Sequence, residues 1–227
     1  MNMRTILPLL LLIFTTACVS DRGHDGPVDM IYWDIATFEG NVSGNAQFTL
    51  RQVNDLPEAT LVADRAIPIP AEGEGNDPTG KRMFISYIPE SNEAYTSGPV
   101  KLRSAALINQ SPLRIENISE YPEWARDRVY LYSAWRTGTY INFHVSLTYD
   151  REPRTFCIVA DESTLSEAYP DLYLVHIMAE PTDYHERRYY ASFDIADIWE
   201  RPEVLGVNLH VSNSNLDKQI FTFSKND

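Results

Sequence analysis

VYLYSAWRTGTYINFHVSLTY, residues 129–149, is the stretch whose pattern decides the fold class. Along its second half Ile141, Phe143, Val145, Leu147 and Tyr149 alternate with Asn142, His144, Ser146 and Thr148. Successive side chains of a β-strand point to opposite faces, so this period of two puts the apolar set against a core and leaves the other face wet or lightly covered. The run at 129–135 reads as a second strand. Between the two, Arg136-Thr137-Gly138-Thr139 reverses the chain, with Gly138 able to take the positive φ that a tight hairpin demands.

Working outward, short apolar runs bounded by turn residues recur at 155–160, 173–179, 188–193, 204–211 and 219–223, giving seven strands spaced as in an antiparallel sandwich. Upstream, 30–39, 46–53, 59–63, 82–88 and 100–108 read as five more. Residues 68–81 hold three prolines and three glycines, which suit neither a helix nor a ladder, and form a loop. Proline and mixed polarity at 119–124 mark a boundary. Helix is confined to a turn or two at 161–168 and 194–199, each opening on acidic residues suited to a helix N-terminus. The chain is expected to be all-β, in two halves.

The N-terminal end gives an address. Arg4, the apolar run 6–14 and Thr15-Thr16-Ala17-Cys18 have the order of a secretory signal, and the apolar run is shorter than the roughly 20 residues that span a bilayer. A small residue followed by cysteine resembles the lipobox of Gram-negative lipoproteins, with Thr15 standing where that pattern usually has leucine. The expected organisation is a signal at 1–17, lipidated Cys18 with a polar tether at 18–27, a first β domain at 28–118 and a second at 119–227. The expected localisation is the cell envelope, most specifically the outer membrane, with the lipid on Cys18 as the membrane contact. Lipidation of Cys18 leaves Cys157, so the fold is expected to depend on apolar burial rather than a disulfide. Cys157 lies in the apolar run TFCIV and reads as a small buried hydrophobe.

Acid dominates the charge. With 19 basic and 32 acidic residues the chain stands at −13, and removal of Arg4 with the signal takes it to −14. Phosphate backbones are bound chiefly by Lys and Arg, so a nucleic-acid partner is not expected.

Candidate site residues fall in three groups. His144, His176 and His210 each lie in an expected strand, where a sheet could pair two of them on a metal, but their spacing is not that of a zinc site. Glu72, Glu74, Asn76 and Asp77 offer oxygen ligands in a glycine-rich loop, at a spacing that departs from the EF-hand. The aromatics Trp124, Tyr132, Trp135, Tyr140, Tyr189, Tyr190 and Trp199 gather in the second half, with Trp135, Tyr140, Tyr190 and Trp199 the candidates for ligand contact. Exposed rings can stack on sugars or pack on a protein, whereas buried ones are core or cross-strand pairs. No G-x-S-x-G elbow or cofactor-binding motif is present, so neither a catalytic set nor a cofactor is expected.

Three segments in order, VKLRSAALINQSPLRIEN at 100–117, the opening stretch at 129–149, and 189–223 with YYASFDI followed by VNLHVSNSNLDKQIFTF, resemble the NigD-like lipoproteins. The resemblance implies an OB-type five-stranded barrel followed by a β-sandwich in an envelope lipoprotein of unknown molecular activity. It carries over no catalytic residue. Three readings follow: a non-enzymatic protein presenting a binding or assembly surface to an envelope protein or glycan; a glycan-directed hydrolase or glycan-binding surface protein; and, from the family's name alone, a toxin or its immunity partner.

Overall fold

The computed structural model describes residues 30–53, 56–69, 77–149, 154–179 and 185–226. The signal, Cys18 and its tether, together with Glu72, Glu74 and Asn76, lie outside them.

Five strands close the first unit: β1 (Tyr32–Val42), β2 (Asn45–Leu50), β3 (Ala59–Ala63), β4 (Arg82–Pro89) and β5 (Gly98–Leu107). Their order around the barrel is β1-β2-β3-β5-β4, with β4 returning to β1 and β3 parallel to β5. This five-stranded closed barrel is the OB-type unit anticipated above. Even-numbered residues of β1 and odd-numbered residues of β4 turn inward, so Ala36, Phe38, Met83, Ile85 and Tyr87 meet Phe48, Leu61 and Val100 in its core. Closure requires β1 to bend. A bulge between Phe38 and Gly40, with Gly40 at φ +116°, supplies the bend.

The second unit is a sandwich. A five-stranded sheet has β7 (Arg114–Glu116), β10 (Arg154–Asp161), β11 (Asp171–Met178), β13 (Gly206–Val211) and β14 (Ile220–Ser224) in the order β14-β13-β11-β10-β7. Facing it, β6 (Asn109–Pro112), β8 (Tyr130–Thr137), β9 (Tyr140–Tyr149) and β12 (His185–Asp194) run in the order β6-β12-β9-β8. The hairpin read from sequence is β8–β9, and its two-residue loop Gly138-Thr139 has Gly138 at φ +56°. Ile141, Phe143, Val145 and Leu147 are fully buried, with Phe143 edge-on to Phe193. The helical turns are 3-10 turns at Ile118–Glu120, where none was expected, and at Glu162–Thr164, and α1 at Ala196–Trp199.

The sandwich departs from a purely antiparallel arrangement in three pairs: β10–β7, β11–β13 and β12–β6 run parallel. Two of these involve β6 and β7, strands of four and three residues that carry no alternation. Leu113, between them, is buried in the sandwich core, so the chain leaving the barrel passes through an edge of each sheet in turn.

Candidate functional site

The outer face of β1 and β4 packs against the polar face of the four-stranded sheet. Arg82, the first residue of β4, is buried at this seam. Its guanidinium donates from Nε to Ser192 Oγ (3.2 Å), from Nη1 to Thr37 Oγ1 (3.1 Å), and from Nη2 to the Ile35 carbonyl and Thr137 Oγ1 (both 3.2 Å) and Asn142 Oδ1 (3.5 Å). The Tyr140 ring lies 4.5 Å from the guanidinium carbon. None of these direct acceptors is a carboxylate, and burial draws Arg82 down to about 10, which leaves it charged at neutral pH. Its charge is met by oriented dipoles from both units. The face of β9 expected to be wet is therefore used here to hold this cation, and Asn142 is fully buried.

Beside Arg82, aromatic rings run across the seam. Trp33 stacks on Phe84 (5.6 Å between centroids), Phe84 on Tyr190 (4.0 Å), Tyr190 on His144 (4.4 Å), His144 on Tyr132 (4.4 Å), and Tyr130 tilts against Tyr132 (4.9 Å). Tyr190 and His144 are direct cross-strand partners. Tyr132 joins because the β8–β9 register shifts between Leu131 and Ser133, making it the extra residue of a bulge. One of these contacts, Phe84–Tyr190, joins barrel to sandwich, and such a pair is worth about 0.5–1.5 kcal/mol beyond buried area. Burial and the nearby Arg188 lower the pKa of His144, favouring the neutral ring in this stack.

A cleft of about 570 Å³ opens along the ladder, lined by Trp33, Phe84, Ser133, Trp135, His144 and Tyr190, and by Asp34, Leu50, Arg51 and Tyr95 on the barrel side. Its position follows from strand lengths. The β1–β2 ladder reaches Thr37–Thr49 and β2 ends at Leu50, while β1 begins at Tyr32. Asp34 Oδ2 accepts from the Tyr87 hydroxyl (2.9 Å) and Oδ1 from the Tyr95 hydroxyl (2.8 Å). Tyr95 sits at φ +55°, a backbone conformation that costs a bulky residue roughly 1–2 kcal/mol and aims its hydroxyl at Asp34. Such stored strain marks a position worth testing for function.

Desolvation raises the pKa of Asp34, outweighing the two tyrosine hydrogen bonds that lower it. The folded state then holds this proton more tightly than the unfolded chain does. Stability falls as pH rises through the window between the unfolded and the raised folded pKa, and the penalty is fully present above it. Asp34→Asn is expected to raise unfolding free energy at pH 7, on the order of 1 kcal/mol, with the gain vanishing at acid pH. The amide can accept from one tyrosine hydroxyl and donate to the other phenol oxygen. Urea titrations at several pH values measure this, and destabilisation at pH 7 would contradict it.

The other expected candidates are scattered. Trp135 lines the cleft, and Tyr190 has Phe84 on one face and His144 on the other. Tyr140 lies under Arg82, while Trp199 belongs to the sandwich core beneath the Arg136 guanidinium (4.5 Å). His176 is buried with Nδ1 3.0 Å from the Asp127 carbonyl, and His210 pairs with Asp171 (2.9 Å) and stacks on Tyr173. Asp77 accepts the Thr79 N–H (2.8 Å), which lowers its pKa. No group of three or more His, Cys, Asp or Glu among the described residues is placed to hold a metal. Cys157 is buried beneath Tyr121 and Trp124, where desolvation raises its pKa. Sequence reading missed Asp34, Tyr95 and Arg82. Asp34, an acid flanked by apolar residues within 30–38, is the one signal that pointed to any of them.

Three solved structures share this architecture. A protein of unknown function (DUF1344) from Bacteroides vulgatus superposes with a TM-score of 0.66 at 16% identity, covering 86% of this chain and 90% of that one. A NigD-like immunity protein from Bacteroides caccae gives 0.55 at 18%, covering 86% and 92%. A candidate lipoprotein from Bacteroides fragilis gives 0.54 at 10%, covering 86% and 95%. At these identities the likeness shows the fold, and at that level the expected NigD-like architecture is present. No protein-family model and no curated protein sequence matches the chain. No helix among the described residues is long and apolar enough to cross a membrane.

Proposed function

We propose that this chain is a non-enzymatic envelope lipoprotein, anchored in the outer membrane through lipid on Cys18, that binds an envelope ligand in the cleft between barrel and sandwich. The observation that carries the reading is the cleft itself: a partly buried carboxylate and a strained tyrosine among tryptophan, tyrosine and phenylalanine rings. A largely aromatic concavity with a few convergent polar groups is the usual form of a ligand site. The hydrolase alternative calls for two carboxyl groups flanking the scissile bond. Asp34 is the one acid among the cleft's described lining residues. A neighbouring depression of about 620 Å³ contains Glu58, Asp194 and Glu200, but Glu58 is paired with Arg51 and Asp194 accepts the Ala196 N–H.

A photo-crosslinking residue at Ser133, in the full lipidated chain on intact envelopes, tests the reading. It is expected to yield a discrete adduct that a probe at exposed Leu216 does not give and that Trp135→Leu reduces. The same products from both positions would refute the cleft as the ligand site. Parallel lipid labelling of the native chain and Cys18→Ala tests the anchor, and label retained without Cys18 would refute it.

A further inference from the structure

We infer that the cleft receives an organic ammonium group, with Asp34 as counter-ion and Trp135 as an aromatic wall. The inference rests on the cleft being the ligand site and names the chemistry of what enters it.

Three observations converge. First, Asp34 has no ion-pair partner among the described residues: its polar contacts are the two phenol hydroxyls, one on each oxygen. A carboxylate has about four lone-pair sites, so two hydroxyls leave room for further donors. A partly buried charge without a counter-charge is costly, and a cationic ligand relieves that cost. Second, the nearby cations are committed elsewhere. Arg51 lies 2.9 Å from Glu58 and 3.9 Å from Glu39, while Arg82 is spent on the seam. Third, most rings of the ladder have faces covered by their neighbours, whereas Trp135, beside the ladder, has no stacked ring or cation among the described residues. The negative face of an indole attracts ammonium groups most strongly of all the aromatic side chains.

Other ligand classes fit less well. An anion would meet Asp34. A metal ion would find one carboxylate and, among the described residues, no cluster of ligands. A sugar would meet the Ser133 and Thr137 hydroxyls of the lining, but Thr137 Oγ1 already accepts from Arg82 and Asn142. The volume of about 570 Å³ leaves space for an apolar stem carrying the ammonium.

The test uses the full chain and three probes at constant ionic strength: n-butylammonium, n-pentanol as a neutral alcohol one methylene longer, and methyl β-glucoside. Tryptophan indole NMR signals, assigned with Trp135→Leu, report occupancy. Saturable binding of butylammonium at least tenfold tighter than pentanol is expected. Asp34→Asn should weaken it about tenfold to hundredfold, and Trp135→Leu several-fold, with unfolding midpoints confirming that both variants fold. Equal binding of butylammonium and pentanol, or binding indifferent to Asp34→Asn, would overturn the inference. Saturation by the glucoside in place of butylammonium would also overturn it while leaving the cleft as a ligand site. No probe binding together with no specific Ser133 adduct would remove both.

Discussion

Arg82→Ala is expected to lower the unfolding free energy by about 3–5 kcal/mol, a large part of what a domain of this kind holds in reserve. The seam explains the size. Truncation leaves a cavity where a fully buried arginine stood and strands the Ile35 carbonyl and Thr37 hydroxyl on the barrel side. Ser192, Asn142 and Thr137 lose less, because Ser192 already donates to Asn142 Oδ1 and Asn142 to Thr137 Oγ1. Arg82→Met separates the contributions, since it fills most of the volume without donors or charge. Its loss should be smaller, about 2 kcal/mol, because relief from burying a cation offsets part of the missing hydrogen bonds. Urea denaturation with matched slopes measures both. A loss below about 1 kcal/mol for the alanine variant would mean that the ladder holds the seam without Arg82.

The second large effect is expected at Gly206, the first residue of β13. A Cβ there would collide with the Phe223 carbonyl oxygen and lie 2.5 and 2.9 Å from two atoms of the Tyr169 ring. The oxygen belongs to β14 next to the Gly206–Ser224 pair, and Lys225 N–H donates to the Leu205 carbonyl just beyond (2.9 Å). The strand cannot retreat without giving up this end of the ladder. Gly206→Ala is therefore expected to cost about 3 kcal/mol or more, at the upper end for overpacking, with faster amide exchange in β14. Adding Tyr169→Leu relieves the ring contact alone, so the double variant should recover little. Full recovery would show that the ring, and not the backbone, sets the limit.

Much of the architecture was legible because the longer strands read as alternating or apolar runs between turn residues. The ten residues of β9 carry enough contrast between faces to define a strand, and the five barrel strands are each bounded by turn residues. β6 and β7 were not legible, since NQSP and RIE are too short for a period to show. The bulge at Tyr132 was also hidden, because parity in β8 changes where the partner strand says so and not where the sequence does. The site was harder still. Arg82 reads as an ordinary charged residue at a strand start; only the packing of one unit on the other turns the barrel's outer face inward. Trp135 and Tyr190 were legible as aromatics, yet which had covered faces depends on registers across three strands. Asp34 lies in an apolar run, but nothing local announces that Tyr87 and Tyr95, more than fifty residues away, will close on it.

The passage of the chain through β6 and β7 bears on how such a molecule could be cut, shuffled or inherited. Two beads on a string can be exchanged between genes at the string. Here the string is woven into both sheets: residues 109–112 extend one along β12, residues 114–116 extend the other along β10, and Leu113 plugs the core between them. A break after residue 118 would carry off an edge strand from each sheet with the barrel, whereas a break before residue 109 would leave the sandwich its edges but deprive it of Arg82. Neither cut yields two finished pieces. Barrel and sandwich are thus expected to lose stability when parted at either place.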